Sequence, residues 1–218
     1  AMVSHAERLG VTVQRDAQVI DLLRDGASVI GVQADVAGQM VEFSAPVVVN
    51  AAGPWAMDLN KTLDPALVAD TGWAMAFNLL LKPRSPAQVG LSVFPAVGDG
   101  DMLFLYPRGE NTFAGTWYYP FDGKADGQAV SETQIDLFLT ALNGSLHGIH
   151  YDLEDVLSVM SGLLPVTQPG TTQLSGSDQV IDHGSSGGPK GLYTQIGVKY
   201  TTARSVARKT LRLAKLLP

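Results

Sequence analysis

Six residues near the end of the chain, Gly197-Val198-Lys199-Tyr200-Thr201-Thr202, place backbone freedom, a cation and two hydroxyls ahead of a helical pattern. Beyond them, Ala203, Val206, Ala207, Thr210, Leu213, Ala214 and Leu217 keep i, i+3, i+4, i+7 spacing, which predicts one inward helix face. Arg204, Arg208, Lys209, Arg212 and Lys215 fall on the other face and read as solvated. Thr201 or Thr202 is the expected N-cap, and most of the basic residues sit in the later turns, where they suit the dipole. The leading N–H groups are then free to meet an anion; the alternative is a capped surface helix. A buried Lys199 would need a ligand or a carboxylate partner.

A second candidate lies at the other end of the chain, in Val47-Val48-Val49-Asn50-Ala51-Ala52-Gly53-Pro54-Trp55. The three valines predict a strand covered on both faces, as in a parallel sheet. Ligands of open α/β sheets bind at the carboxyl ends of such strands. Ala51-Ala52-Gly53 lets backbone approach a ligand closely because no large side chain intervenes. Pro54 opens a helix and Trp55 fixes its exit direction. An ordinary tight strand-to-helix turn would carry the same residues.

Other chemistry-bearing residues are scattered. Arg108, Tyr118 and Tyr119 lie in strand-like sequence that faces either a pocket or the core. His183 precedes the glycine-rich Gly184–Gly191 and reads equally as a loop histidine. His147 and His150 are three apart with no third ligand nearby, and cysteine is absent, so neither a metal site nor a disulfide framework is expected. A net charge of −6 excludes nucleic acid as the expected partner, since that would require a basic face. No stretch reaches the ~20 apolar residues needed to span a bilayer, and no signal peptide is evident. The expectation is a cytoplasmic protein, or one peripheral to a membrane.

These residues need elements to hold them. Residues 10–44 alternate apolar and polar side chains, with breaks at Asp25-Gly26 and Ala37-Gly38, which predicts an antiparallel meander feeding the buried strand at 47–50. Pro46 marks that strand's entry. Between 60 and 182, four apolar runs around residues 72–83, 89–95, 101–109 and 111–119 read as strands, followed by Val156–Val166 and Gln179–Gly184. Ser131 to Gly144 reads as a helix with Ile135, Phe138, Leu139 and Leu142 inward. The implied fold is mixed α+β and α/β: a meander plus parallel strand, a mixed-sheet domain, and a carboxyl-terminal helix.

The segment from Ala6-Glu7-Arg8-Leu9-Gly10 through the meander to Asn50–Trp55, together with Gly191–Ala214, resembles the D-amino acid oxidase superfamily of FAD-dependent oxidoreductases. The FAD-dependent glycerol-3-phosphate dehydrogenases belong to it. The resemblance implies a partial FAD-binding domain at 1–59, a substrate or cap domain at 60–182, and a closing segment of the FAD-binding domain at 183–218. It implies FAD contacts from Val19, Asn50, Ala51, Ala52, Gly53, Trp55, Gly197, Val198, Lys199, Tyr200, Thr201 and Thr202. Lys199, Arg108 and Tyr118 are the substrate-contact candidates, for a small hydroxy- or amino-substrate similar to glycerol 3-phosphate. No residue is assigned as catalytic base.

Two positions depart from the family's pattern. Its Gly-x-Arg-Pro arginine falls at Leu164 and its histidine at Ala74, which leaves glycerol 3-phosphate insecure as the substrate. The Gly-x-Gly-x-x-Gly motif that opens such flavoproteins is absent, so the chain reads as a family member without its amino-terminal third. Ala1 before Met2 reads as a cloning remnant. Such a chain is expected to be inactive alone, to bind FAD weakly or not at all, and to self-associate through exposed strand edges. The alternatives are a non-enzymatic module for small anions, or a subunit completed by another chain.

Overall fold

The computed structural model describes residues 2–67, 71–82, 88–95, 102–123, 125–126 and 129–218. The chain divides into two compact units, residues 1–69 with 177–218, and residues 70–176. The expected boundaries at 59/60 and 182/183 therefore shift. The helix after Trp55 and the strand at 179–182 both belong to the first unit.

The first unit opens with α1 (Met2–Arg8), followed by irregular chain to residue 16. The strand expected from Val11 does not form; residues 11–15 are irregular and Val11 is exposed, so its alternation finds no surface to pack against. The meander follows as predicted, in β1 (Ala17–Asp25), β2 (Ser28–Val36) and β3 (Gln39–Ser44). Its turns fall at Gly26-Ala27 and Ala37-Gly38. Ala37 and Gly38 both take positive φ, 52° and 85°, which matches the right-handed strand twist in a two-residue hairpin.

The second sheet of this unit has the order β10-β11-β4, with β4 (Val48–Asn50), β10 (Gln179–Asp182) and β11 (Leu192–Ile196). β11 pairs parallel with β4 and antiparallel with β10. Here the expectation of a fully covered strand fails. Val49 is 39% exposed, because β4 has a neighbour on one side only among the described residues. The meander is stitched to this sheet by backbone, as Val29 N donates to Lys190 O and Lys190 N to Ala27 O, while Val48 N to Gly191 O extends the β4–β11 pairing. Leu22 and Val29 pack with Leu67 and Leu192 in the core between them.

A 3-10 turn over Gly53–Trp55 leads from β4 into α2 (Ala56–Leu63), and Pro54 occupies the first turn as its fixed φ favours. The chain closes with a 3-10 turn at Tyr200–Thr202 and α4 (Ala203–Leu213). Val206, Thr210 and Ala214 form its buried stripe. The expected stripe is wider than the observed one, since Ala203, Ala207, Leu213 and Leu217 remain exposed.

The second unit holds five strands, β5 (Trp73–Leu81), β6 (Leu91–Val93), β7 (Leu103–Arg108), β8 (Asn111–Phe121) and β9 (Val156–Pro165). Their order is β6-β7-β8-β5-β9, and every pair is antiparallel. The expected mixed sheet is corrected accordingly; the strand at 179–182 that was counted into it pairs with β11 instead. Pro83 and Asp101, which bound two of the expected strands, lie outside the described residues. α3 (Glu132–Gly144) covers one face, with Ser131 Oγ accepting from Gln134 N at its start. Ile135, Phe138, Leu139 and Leu142 are buried as its spacing predicts. Phe138 meets Phe77 and Trp117 edge to face, at 5.7 and 5.8 Å between ring centroids.

Candidate functional site

Two short loops define the candidate site, and one strand pair places them. Because β4 and β11 are parallel and in register at Val48↔Leu192 and Asn50↔Thr194, both chains leave the sheet at the same edge. Ala51–Gly53 continues from β4, and Gly197–Thr202 continues from β11. The two ends of the sequence thus deliver small-residue backbone and a helix start side by side. Ala51 and Ala52 are exposed, and Gly53 has φ +59° with open space where a side chain would stand. That is the geometry in which backbone can lie against a planar ligand.

The loop after β11 is held from below. Asp178 Oδ1 accepts from Val198 N at 2.8 Å, and with Gln195, Gly197, Lys199 and Tyr200 it lines a cleft of about 280 Å³. Lys199 is exposed and forms no ion pair among the described residues, which removes the requirement for a buried partner. Tyr200 is 78% exposed. Thr202 does not cap the helix through its side chain; its hydroxyl donates to Lys199 O at 2.8 Å. Thr202 is the N-cap residue, as expected, but makes no side-chain cap bond, so no side chain of the cap occupies the leading amides of α4.

Asn50 has a different part from its neighbours. It is 4% exposed and its side chain points inward. Asn50 Nδ2 donates to Ala56 O at 2.8 Å and to Asn60 Oδ1 at 2.9 Å, while Oδ1 accepts from Ala52 N at 3.2 Å. Asn60 Nδ2 donates to Thr194 Oγ1 at 2.9 Å, and Thr194 Oγ1 lies 2.9 Å from His183 Nε2. Burial lowers the pKa of His183 and Asp182 weakly opposes that shift. In the neutral ring Nε2 accepts from or donates to the threonine hydroxyl according to the tautomer, and that hydroxyl also lies 3.3 Å from Asn60 Oδ1.

This chain of buried bonds ties β4, α2, β11 and the 183–186 turn behind the exposed loops. Sequence reasoning missed Asn60 and Thr194, and left His183 as a loop residue. The available signal was polar residues on otherwise apolar segments, which a core admits only when they bond one another.

The remaining candidates are carried by other elements or by the head of α2. Val19 lies in β1, in the other sheet, and is exposed. Trp55 is 45% exposed at the head of α2. Arg108 and Tyr118 belong to the second unit and are not neighbours there. Arg108 closes β7 at the hairpin, with its guanidinium 5.9 Å from the Phe113 ring centroid. Tyr118 pairs with Ala76 far along β8, seven residues from Asn111 and so about 20 Å away. Tyr119 turns to the core beside Phe77, and burial raises its pKa. Ala74 and Leu164, the two positions that depart from the family's pattern, are direct partners across β5 and β9. Ala74 is fully buried.

The match to known proteins follows this geometry. The model of the DAO family, described as FAD dependent oxidoreductase, matches residues 1–208. The chain belongs to that family.

Among relatives of this family member is a mitochondrial glycerol-3-phosphate dehydrogenase of Arabidopsis thaliana. The two are 32% identical over 216 residues, covering 94% of this chain and 33% of the plant protein. The human mitochondrial glycerol-3-phosphate dehydrogenase is 32% identical over 182 residues, 81% of this chain and 24% of that protein. The chain thus spans a quarter to a third of the curated relatives it matches. The crystal structure of a glycerol-3-phosphate dehydrogenase from Bacillus halodurans complexed with FAD superposes with a TM-score of 0.76 at 23% identity, over 92% of this chain and 38% of that one. That likeness shows the shared fold. The cofactor of this family is FAD. No described helix is long and apolar enough to cross a membrane, and no group of described side chains forms a metal site.

Proposed function

We propose that this chain supplies the closing part of a flavin site, and a substrate-covering unit, to an oxidoreductase that takes hydride from a C–H bond beside a hydroxyl or amine. The flavin supplies the redox chemistry, and the protein supplies position and electrostatics. The carrying observation is the parallel β4–β11 pair, which delivers Ala51–Gly53 and Gly197–Thr202 to one edge. In this reading the 51–53 backbone forms a wall beside the ring. The uncapped amides opening α4 stabilise negative charge that gathers on the reduced ring. Lys199 is free to meet an anionic group of the substrate.

The relatives' named substrate supports a compound of the glycerol 3-phosphate class. The paired Ala74 and Leu164 offer neither a cation nor a base, so a phosphate would have to be held by other residues. Gly-x-Gly-x-x-Gly is absent from the 218 residues. Tight FAD binding and turnover therefore require a dinucleotide-binding segment, joined to this chain or brought by another. The exposed Lys199, without an ion pair among the described residues, is what favours one other reading, a non-enzymatic module for small anions. The half-exposed Val49 and the open side of β4 further suggest self-association by strand pairing.

Flavin titration tests the proposal. The 218-residue chain alone should quench FAD fluorescence weakly or not at all. Joined to the amino-terminal segment of the Arabidopsis relative, it should purify yellow and bleach with glycerol 3-phosphate under argon. Gly53→Val in the joined protein should lower its flavin content several-fold; unchanged content would remove the 51–53 backbone from the site. A yellow protein that no hydroxy- or amino-substrate bleaches would favour the binding module.

A further inference from the structure

All 21 Asp and Glu residues lie within residues 1–182, and none follows. From His183 to Pro218 the chain carries seven Lys and Arg, five of them on or just after α4. Arg204, Arg208 and Arg212 stand at i, i+4 and i+8 and so form a single ridge along the helix. Thr201, Ser205 and Lys209 form the row beside it, and together they line an open groove of about 630 Å³.

None of these cations pairs with an Asp or Glu among the described residues; the side-chain ion pairs there are Arg15–Glu7 and His150–Asp152. Arg212 Nε donates to an oxygen of Pro218, the last of the 218 residues, and so meets the terminal carboxylate at 3.1 Å. Neighbouring like charges at this spacing repel, and Arg204 in the first turn opposes the helix dipole. A face kept only for solubility could alternate signs along the ridge, whereas this one stays cationic for its whole length. Three of the five are arginines, whose planar guanidinium forks match phosphate oxygens two at a time.

We propose that the α4 ridge is a binding site for phosphate-type oxyanions, with Arg204 and Arg208 as the principal ligands, Arg212 beside them, and the Thr201 and Ser205 hydroxyls as additional donors. The chemistry fits a free diphosphate and the phosphate headgroups of lipids alike. It shares only Thr201 with the flavin reading, and its arginines lie beyond the Gly197–Thr202 loop.

The 218-residue chain is titrated with inorganic pyrophosphate at constant ionic strength, and separately floated with phosphatidylglycerol vesicles, using phosphatidylcholine vesicles as the control. Saturable pyrophosphate binding that weakens with added salt is the expected result. Affinity should fall at least ten-fold in the double variant Arg204→Gln with Arg208→Gln, and stay unchanged in Arg24→Gln, an exposed arginine on β1. Circular dichroism should show the double variant folded, since both side chains are exposed. Flotation with anionic vesicles alone, lost in the double variant, supports the same site with lipid as the source of phosphate. Binding of neither probe, or binding that the double variant retains, overturns the proposal.

Discussion

Asn50 and Thr194 are partners across the parallel pair β4–β11, and the side chain of Asn60 bonds to both, at 2.9 Å each. α2 is thereby bolted to the two strands whose ends form the candidate site. Removing the bolt takes one bond each from two buried polar groups, which retain Ala56 O and His183 Nε2 as partners. Asn60→Ala is expected to lower unfolding free energy by about 3 kcal/mol, from the unmade bonds and the cavity together. Urea denaturation followed by circular dichroism measures this. A loss under about 0.5 kcal/mol, the level of an inconsequential surface change, would mean the network is not structural.

The same network makes the first unit sensitive to acid. Burial holds the folded-state pKa of His183 below its ordinary value. The unfolded chain then binds a proton at pH values where the folded chain does not. Stability contributed by the neutral ring is full above about pH 6.5 and declines as the pH falls below it. Unfolding free energy should fall through this residue as the pH is lowered from about 7.5 to about 5.5. His183→Gln should show a smaller drop over the same range, and identical pH profiles for the two proteins would exclude His183 as the source.

Gly191 marks where three segments converge. It has φ +81°, and a side-chain carbon there would sit 2.7 Å from Pro46 O and 3.0 Å from Val29 O. Gly191→Ala should cost about 2 kcal/mol or more, through left-handed strain and through displacement of the β2 and β4 backbones. Gly10→Ala, also at positive φ but with open space around it, should cost less. Equal thermal shifts for the two variants would locate the cost in φ alone.

The second unit can be followed separately, because Trp73 and Trp117 lie in it and Trp55 is the remaining tryptophan. Ser131→Ala removes the cap of α3 and should destabilise that unit by about 1 kcal/mol. Trp117 Nε1 donates to Gln134 Oε1 in the first turn of α3, so its fluorescence reports the fraying directly. An unaltered fluorescence midpoint would show that the cap carries no weight.

Much of the local structure was legible because its causes are local. Alternation with Gly26 and Ala37-Gly38 specified the meander, Pro54 started the turn into α2, and Ser131 with its i, i+3, i+4 leucines and phenylalanine specified α3. Errors arose where a partner decides. The spacing along α4 could not show that only Val206, Thr210 and Ala214 would find something to pack against. The strand at 179–182 reads the same whether it joins β11 or the β5–β9 sheet, and its hydrogen-bonding neighbour settles which.

The chemical character of the site was fixed by the chain itself: small residues at 51–53, Gly-x-Lys-x-Thr-Thr at 197–202, and a helix beyond with no acid in it. Tertiary structure decided which of these atoms face outward together. Roughly 140 residues separate the two loops, and only the parallel register of Asn50 with Thr194 sets them at one edge. It also turned Asn50 away from the edge, and joined Asn60 and His183 to it through Thr194. A buried polar group must find its partner wherever the fold brings one, and sequence distance carries no record of that choice.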